Sequence, residues 1–352
     1  MSKFVAVILS IFLCLATSEI FLRAFYPQSQ YSVTYASWGW KHIPNTTVMF
    51  WGEKPGWRWE LKSPVKIKYD SYGLRSNNVP YKTRIPKEYN PKRILILGDS
   101  FAEDMGSPYA NLISVILRKK FDYNEKGEDT GAAINVINAG HYGFCDGQEL
   151  MYYILEGIKY KPDIVLIFYS GDTANPNYAV MENGELVLKW KTFTWAQEAY
   201  KNIVSVIRLH SHLGSFILNS LHRVKWFDSV VNQKGLNENI KIINFAMGPE
   251  SREFAEVDKA IWLRFKELTI SDGARFIIMN CMGKFTLEQK EFLDSNGIEN
   301  FEITGLPDPE KARQEDKKNG CYDPGLESHR FGYKNNFLVS EKIYEYLKEK
   351  GI

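Results

Sequence analysis

Residues 93–102 read Arg-Ile-Leu-Ile-Leu-Gly-Asp-Ser-Phe-Ala, and the fold turns on this stretch. A wholly apolar run at 94–97 breaks at Gly98 and delivers Ser100. Such a run, with no polar residue on either face, fits a strand buried on both sides, as in parallel sheets. Apolar residues compatible with a helix follow at 109–117. In open α/β sheets the reactive groups collect in the crevice beyond the carboxyl ends of the strands. Ser100 is therefore either a nucleophile, if a base reaches it, or a cap for the next helix.

The same pattern continues outward. Further buried-strand candidates lie at 134–138, 164–168 and 276–280, with a weaker one at 300–303. Helical stretches at 111–121, 148–158, 255–268 and 286–295 separate them. Short apolar runs alternating with amphipathic helices predict an α/β fold with a doubly wound parallel sheet. Ahead of it, residues 28–92 are rich in Tyr, Trp, Pro and Gly, with apolar–polar alternation at 65–69. They read as a lead-in region with one half-buried strand, packed on the main domain of 93–350. An insertion at 178–250 carries Trp190, Phe193, Trp195, Trp226 and Phe227. It reads as two helices with large apolar faces, a lid-like cap over the strand ends. Its basic residues Lys201, Arg208, Arg223 and Lys225 are either solvated or face a membrane surface.

With 352 residues, 44% hydrophobic and 24% charged, the chain can bury one large core. A net charge of +2 without a basic stripe argues against nucleic acid as a partner. Residues 1–27 stand apart: Lys3, an uncharged apolar run, then Ala16-Thr17-Ser18. This is the pattern of an export signal or an uncleaved signal anchor. The apolar run reaches the roughly 20 residues of a membrane span only by continuing past Glu19 to Phe25. Cys14, Cys145, Cys281 and Cys321 have no Cys-x-x-Cys spacing, and no metal site is expected.

Three strand ends carry candidate site residues. The first ends in Gly98-Asp99-Ser100, the second in Asn138-Ala139-Gly140, and the third leads to Ser170-Gly171-Asp172 and Asn175. A glycine such as Gly140 lets its backbone N–H approach a ligand. Two such N–H groups and a polar side chain make an oxyanion hole. His141 follows Gly140 and either faces the same crevice or packs as a structural histidine. The candidate base is His329, in Glu327-Ser328-His329, ahead of a final helix.

These residues resemble the GDSL, or SGNH, hydrolase superfamily of esterases, lipases and carbohydrate deacetylases, over nearly the whole chain. Gly98-Asp99-Ser100-Phe101 matches the first block, Asn138-Ala139-Gly140 the second, and His329 the histidine of the last. Lys161-Pro162-Asp163 ahead of the third strand is also typical. Glu19-Ile20-Phe21-Leu22-Arg23 and the turn Asp70-Ser71-Tyr72-Gly73-Leu74-Arg75 look like the membrane-anchored or exported bacterial type. The resemblance implies a flavodoxin-like sheet and a Ser-His-acid site: Ser100 as nucleophile, His329 as base and Glu327 as its orienting acid. It implies an oxyanion hole from Ser100, Gly140 and the third block, with Asp99, His141 and Asn175 as substrate contacts and no cofactor.

Two positions depart from the family. Asp172-Thr173 stands where an Asn should donate to the oxyanion, so the role falls to a protonated Asp172 or to Asn175. Losing one such donor costs about 10²–10³ in rate. Glu327 stands where the family has Asp; Asp323, before Pro324-Gly325, fits a turn better. The expected activity is hydrolysis of a carbohydrate or lipid ester, such as an O-acetyl group, by a protein exported to the cell envelope. The alternatives are O-acyl transfer to an envelope polysaccharide and a binding protein that keeps the fold.

Overall fold

The apolar run at 94–97 lies at the centre of the protein. The structure is a computed structural model describing residues 3–28, 30, 33–50, 64–76, 92–123, 127, 134–171, 175–221, 254–307, 311 and 332–352. In chain order, the chain opens with helix α1 (Lys3–Phe25), then strands β1 (Val33–Ala36), β2 (Gly39–His42), β3 (Thr47–Phe50), β4 (Val65–Tyr69) and β5 (Arg75–Ser76). The main domain follows with β6 (Lys92–Gly98), α2 (Ser100–Glu103), α3 (Ile113–Asp122), β7 (Ile134–Asn138), α4 (Asp146–Leu155) and β8 (Ile164–Tyr169). The insertion contributes β9 (Ala179–Glu182), β10 (Glu185–Leu188), α5 (Trp195–His210) and α6 (His212–Leu221). The chain then closes the sheet with α7 (Glu256–Ser271), β11 (Arg275–Asn280), α8 (Leu287–Ser295), β12 (Glu299–Glu302) and α9 (Gly332–Glu349).

Five strands form one parallel sheet in the order β7-β6-β8-β11-β12. Numbered among themselves from the N-terminus they run 2-1-3-4-5, the flavodoxin-like order with its switch point between β6 and β8. Side chains alternate between the faces of each strand, so each face has its own core. Ile94, Ile96, Val136, Leu166 and Ile277 pack on Leu117 and Phe121 of α3 and on Val339, Ile343 and Leu347 of α9. Leu95, Leu97, Ile137, Val165 and Ile278 pack on Leu150 and Met151 of α4, Trp262 and Phe265 of α7, and Leu293 of α8. Helices on both faces make this the doubly wound arrangement that the alternation predicts.

Ahead of the sheet, β1 and β2 form a hairpin and β3-β4-β5 a small antiparallel sheet. Burial along β4 alternates as the pattern at 65–69 requires, with Val65, Ile67 and Tyr69 inside. These residues make a third core with Val48, Phe50 and Met105, the last coming from the loop after α2.

The insertion begins with a feature the sequence reading did not anticipate, the β9–β10 hairpin. Its turn is Asn183-Gly184, both at positive φ (52° and 81°), the pair that two-residue hairpin turns favour. Helix α5 then docks on β1: Ser205 donates to the Val33 carbonyl at 2.5 Å, and Phe193, just before the helix, stacks on Tyr35 at 4.0 Å. Residues 222–253, with Trp226, Phe227, Arg223 and Lys225, lie outside the described residues, and so does that part of the expected lid.

Helix α1 spans 23 residues, about 34 Å at 1.5 Å per residue, and is long and apolar enough to cross a membrane. It runs unbroken through Ala16–Ser18 to Phe25, with Leu22 its buried residue. Glu19 explains how a charge is tolerated there. Its carboxylate accepts from the N–H groups of His212 (3.0 Å) and Leu213 (2.7 Å) at the start of α6, and from the Ser211 hydroxyl (3.0 Å). Those N–H groups have no partner within their own helix, and the helix dipole favours an anion there. Arg23 bonds Glu19 at 2.6 Å and the His210 carbonyl at 2.6 Å, and the Gln28 N–H donates to His212 Nδ1 at 2.8 Å. The Glu-x-x-Leu-Arg stretch is thus a clasp joining α1 to the insertion.

Candidate active site

Strand β6 ends at the switch point, and each residue there has a local physical task. Gly98 has φ +153°, and a Cβ on it would lie 2.8 Å from both the Ala102 and Phe168 Cβ atoms. Asp99, 6% exposed, caps α2: one carboxylate oxygen accepts from the Phe101 N–H at 2.9 Å. The other accepts from the Ser170 hydroxyl at 2.9 Å, tying the end of β6 to the end of β8. Both oxygens are therefore engaged inside the protein. Asp99 is thus a cap and a strand tie.

Ser100 opens α2, half-buried, and its hydroxyl has no hydrogen-bond partner among the described residues. This helix is only four residues long. A single turn has no stability of its own, so tertiary bonds set its position. Asn138 Nδ2 donates to the Ala102 carbonyl at 2.7 Å. The Arg75 guanidinium, from β5, donates to the carbonyls of Glu103 (3.0 Å), Asp104 and Ser107 (2.8 Å). The last turn of carbonyls, which has no partner within its own helix, is thereby satisfied.

Gly140 lies where the loop after β7 passes against α2. A Cβ there would lie 2.5 Å from the Ala102 Cβ and 2.7 Å from the Glu103 nitrogen. Its N–H, the expected oxyanion donor, donates to Asn138 Oδ1 at 2.9 Å. Packing alone thus requires a glycine here. Three residues on, Gly143 is exposed at φ +73° with open space around it, and its N–H has no partner among the described residues.

His141 is packed inside the protein. It is 2% exposed, its Nδ1–H donates to the Ala139 carbonyl at 2.9 Å, and its ring stacks on Phe144 at 4.5 Å. Burial, with the neighbouring His42, pushes its pKa down to about 4, so it is neutral at physiological pH. Asn175 is buried and heads a turn, its carboxamide oxygen accepting from the Asn177 N–H at 3.0 Å. Asp172, Glu327 and His329 lie outside the described residues, as do Asp323 and Cys321.

The sequence reading missed a buried polar cluster against α2. Glu103, 1% exposed, meets His42 Nε2 at 2.8 Å, accepts from the Tyr69 hydroxyl at 3.0 Å, and accepts from the Tyr142 N–H at 2.6 Å. Burial works to raise its pKa, but His42, His141 and the Tyr142 N–H outweigh it and hold the carboxyl at about 2. The four contributors come from positions 42, 69, 103 and 142, and no local pattern links them.

Acid is expected to destabilise this region in two stages. The unfolded chain protonates His141 near 6.5, whereas the folded chain resists until about 4, so stability falls as pH drops through that window. Below about 4.5 the unfolded chain also protonates Glu103, which the folded chain keeps ionised down to about 2. Thermal melts from pH 7 down to about pH 2 check both stages. His141→Phe, which keeps the stacking, is expected to flatten the decline; an unchanged slope would refute the assignment.

No family model matches the chain, and no curated protein matches it. Among solved structures it is similar to the psychrotrophic esterase EstA from a Pseudoalteromonas species, at 13% identity and a TM-score of 0.36, over 73% of this chain and 97% of that one. It is also similar to a GDSL-like lipase from Bacteroides thetaiotaomicron, at 11% identity and a TM-score of 0.32, over 75% of this chain and 91% of that one.

Proposed function

We propose that this protein is a serine ester hydrolase of the GDSL type with Ser100 as its nucleophile. The observation that carries the reading is the placement of Ser100: at the carboxyl end of the first strand, at the switch point of a 2-1-3-4-5 sheet, with its hydroxyl unengaged among the described residues. In the reaction, Ser100 Oγ attacks the ester carbonyl while His329 takes its proton. His329 then protonates the departing alkoxide, and water releases the acyl group by the same route in reverse. Glu327 orients the imidazole and stabilises its charged form.

Residue Asn336 supports a base at 329. Its Nδ2 donates to Asp104 Oδ2 at 2.7 Å and to the Asn111 carbonyl at 2.8 Å, which fixes the start of α9 beside the loop that follows α2. His329 stands three residues ahead of α9 in the sequence. For the oxyanion, the Ser100 N–H is one donor. Of the two loop glycines, Gly143 is the one whose N–H has no partner among the described residues, and it is the better second donor. The third falls to the NH₂ of Asn175 or to a protonated Asp172.

The clasp between Glu19 and α6 supports α1 as a retained membrane anchor, since the end of α1 is built into the folded body. An envelope glycan or lipid ester, such as an O-acetyl group, is the substrate class this placement favours.

The test is mass spectrometry of the full chain in detergent after treatment with a fluorophosphonate. The expected result is an adduct on Ser100, absent from Ser100→Ala and His329→Ala. A folded wild-type protein that stays unmodified would overturn the hydrolase reading in favour of a binding role.

A further inference from the structure

The carboxylate of Glu103 joins three separate parts of the protein around the candidate nucleophile. It sits one turn after Ser100 on a helix too short to hold its own place. Its partners are His42 of β2, Tyr69 of β4, and the Tyr142 N–H in the loop that carries Gly140 and Gly143. Removing a carboxylate from water costs several kcal/mol unless hydrogen bonds compensate. These donors provide that compensation, and together they specify where α2 sits.

His42 is itself held firmly. Its ring stacks on Tyr69 at 4.0 Å and 13°, lies parallel to His141 at 5.4 Å, and meets the edge of Trp40 at 5.3 Å. The carboxylate thus meets a partner with little freedom to reorient. Arg75 of β5 in addition binds the carbonyls of Glu103 and Ser107. The N-terminal layer therefore grips the helix that bears Ser100 through both a side chain and its backbone.

We propose that Glu103, paired with His42, is a positioning residue that fixes the Ser100 turn relative to the loop carrying Gly140 and Gly143. The inference rests on the reading of Ser100 as nucleophile. It makes the segment 39–76 a working part of the catalytic machinery. Attack on a carbonyl needs the nucleophile and the oxyanion donors in register, and a displacement of about 1 Å costs roughly 10²-fold in rate.

The full-length Glu103→Gln variant tests this. Gln keeps the size and one acceptor but turns an NH₂ toward one of the donors. The expected result is a roughly 10- to 100-fold fall in kcat and in phosphonylation of Ser100, with KM within about twofold, at a temperature where the variant is folded. Amide hydrogen exchange is expected to rise at both 99–104 and 140–143. His42→Gln, which keeps a donor, is expected to lose less than His42→Leu. A role confined to stability would lower the melting temperature and leave kcat and exchange at 20 °C below the transition unchanged, and that result would overturn the proposal. Should Glu103→Gln not fold, Tyr69→Phe removes one donor and is expected to slow phosphonylation about fivefold; no change would overturn the proposal equally. Wild-type protein that takes no label on Ser100 would refute the nucleophile reading instead. Unchanged exchange in Glu103→Gln would then refute the positioning role as well.

Discussion

On the proposed hydrolase reading, Ser100→Ala, His329→Ala and the double variant are each expected to lose ester hydrolysis by about the same factor, roughly 10⁴–10⁶. The reason is mechanistic. An alcohol attacks an ester at neutral pH only if a base removes its proton as the bond forms, so nucleophile and base act as one unit. Once either is gone, removing the other costs little more. Initial rates on a simple acetyl ester, compared across the two single variants and the double, read this directly. Losses that multiply in the double variant would mean that the two residues act separately, and His329 would then not be the base for Ser100.

Gly140→Ala is expected to destabilise the protein by about 1–3 kcal/mol and to lower activity at least tenfold, although the alanine keeps the N–H. A methyl group there would lie 2.5 Å from the Ala102 Cβ and 2.7 Å from the Glu103 nitrogen, one of them backbone, so α2 or the loop must move. Ser100 sits at the start of that helix, so on the proposed reading the displacement reaches the nucleophile. Gly143→Ala makes an informative contrast: its φ of +73° costs backbone strain, but nothing lies within 4 Å to be displaced. Chemical denaturation with kinetics on both variants checks the comparison. A Gly140→Ala protein as stable as the wild type would show that the contact can relax.

Much of the sheet was legible in the chain. The buried-strand stretches at 94–97, 134–138, 164–168 and 276–280 became β6, β7, β8 and β11, because a strand buried on both faces is predominantly apolar. Alternation at 65–69 became β4 with its alternate residues inside. The helical stretches at 148–158 and 286–295 became α4 and α8 with ends displaced by a few residues. Short strands such as β1, β2, β3 and β5 escaped notice, since two to four residues carry too little period to read. The β9–β10 hairpin had a usable signal in Asn183-Gly184.

At the candidate site the division is sharper. Ser100 stood out from its strand–turn–helix setting, which is a local property of neighbouring residues. The duties of Asp99, Gly140 and His141 did not, since they depend on what lies opposite: the Ser170 hydroxyl, the α2 backbone and the Phe144 ring. The sequence by itself determined the strands, the helices between them and the serine at the first strand's end, because period and turn chemistry act over a few residues. Only the tertiary structure decided the strand order, the clasp of Glu19 on α6, and the pairing of Glu103 with His42 and Tyr69. A buried carboxylate must find donors wherever packing brings them, and here packing brought them from distant segments of the chain.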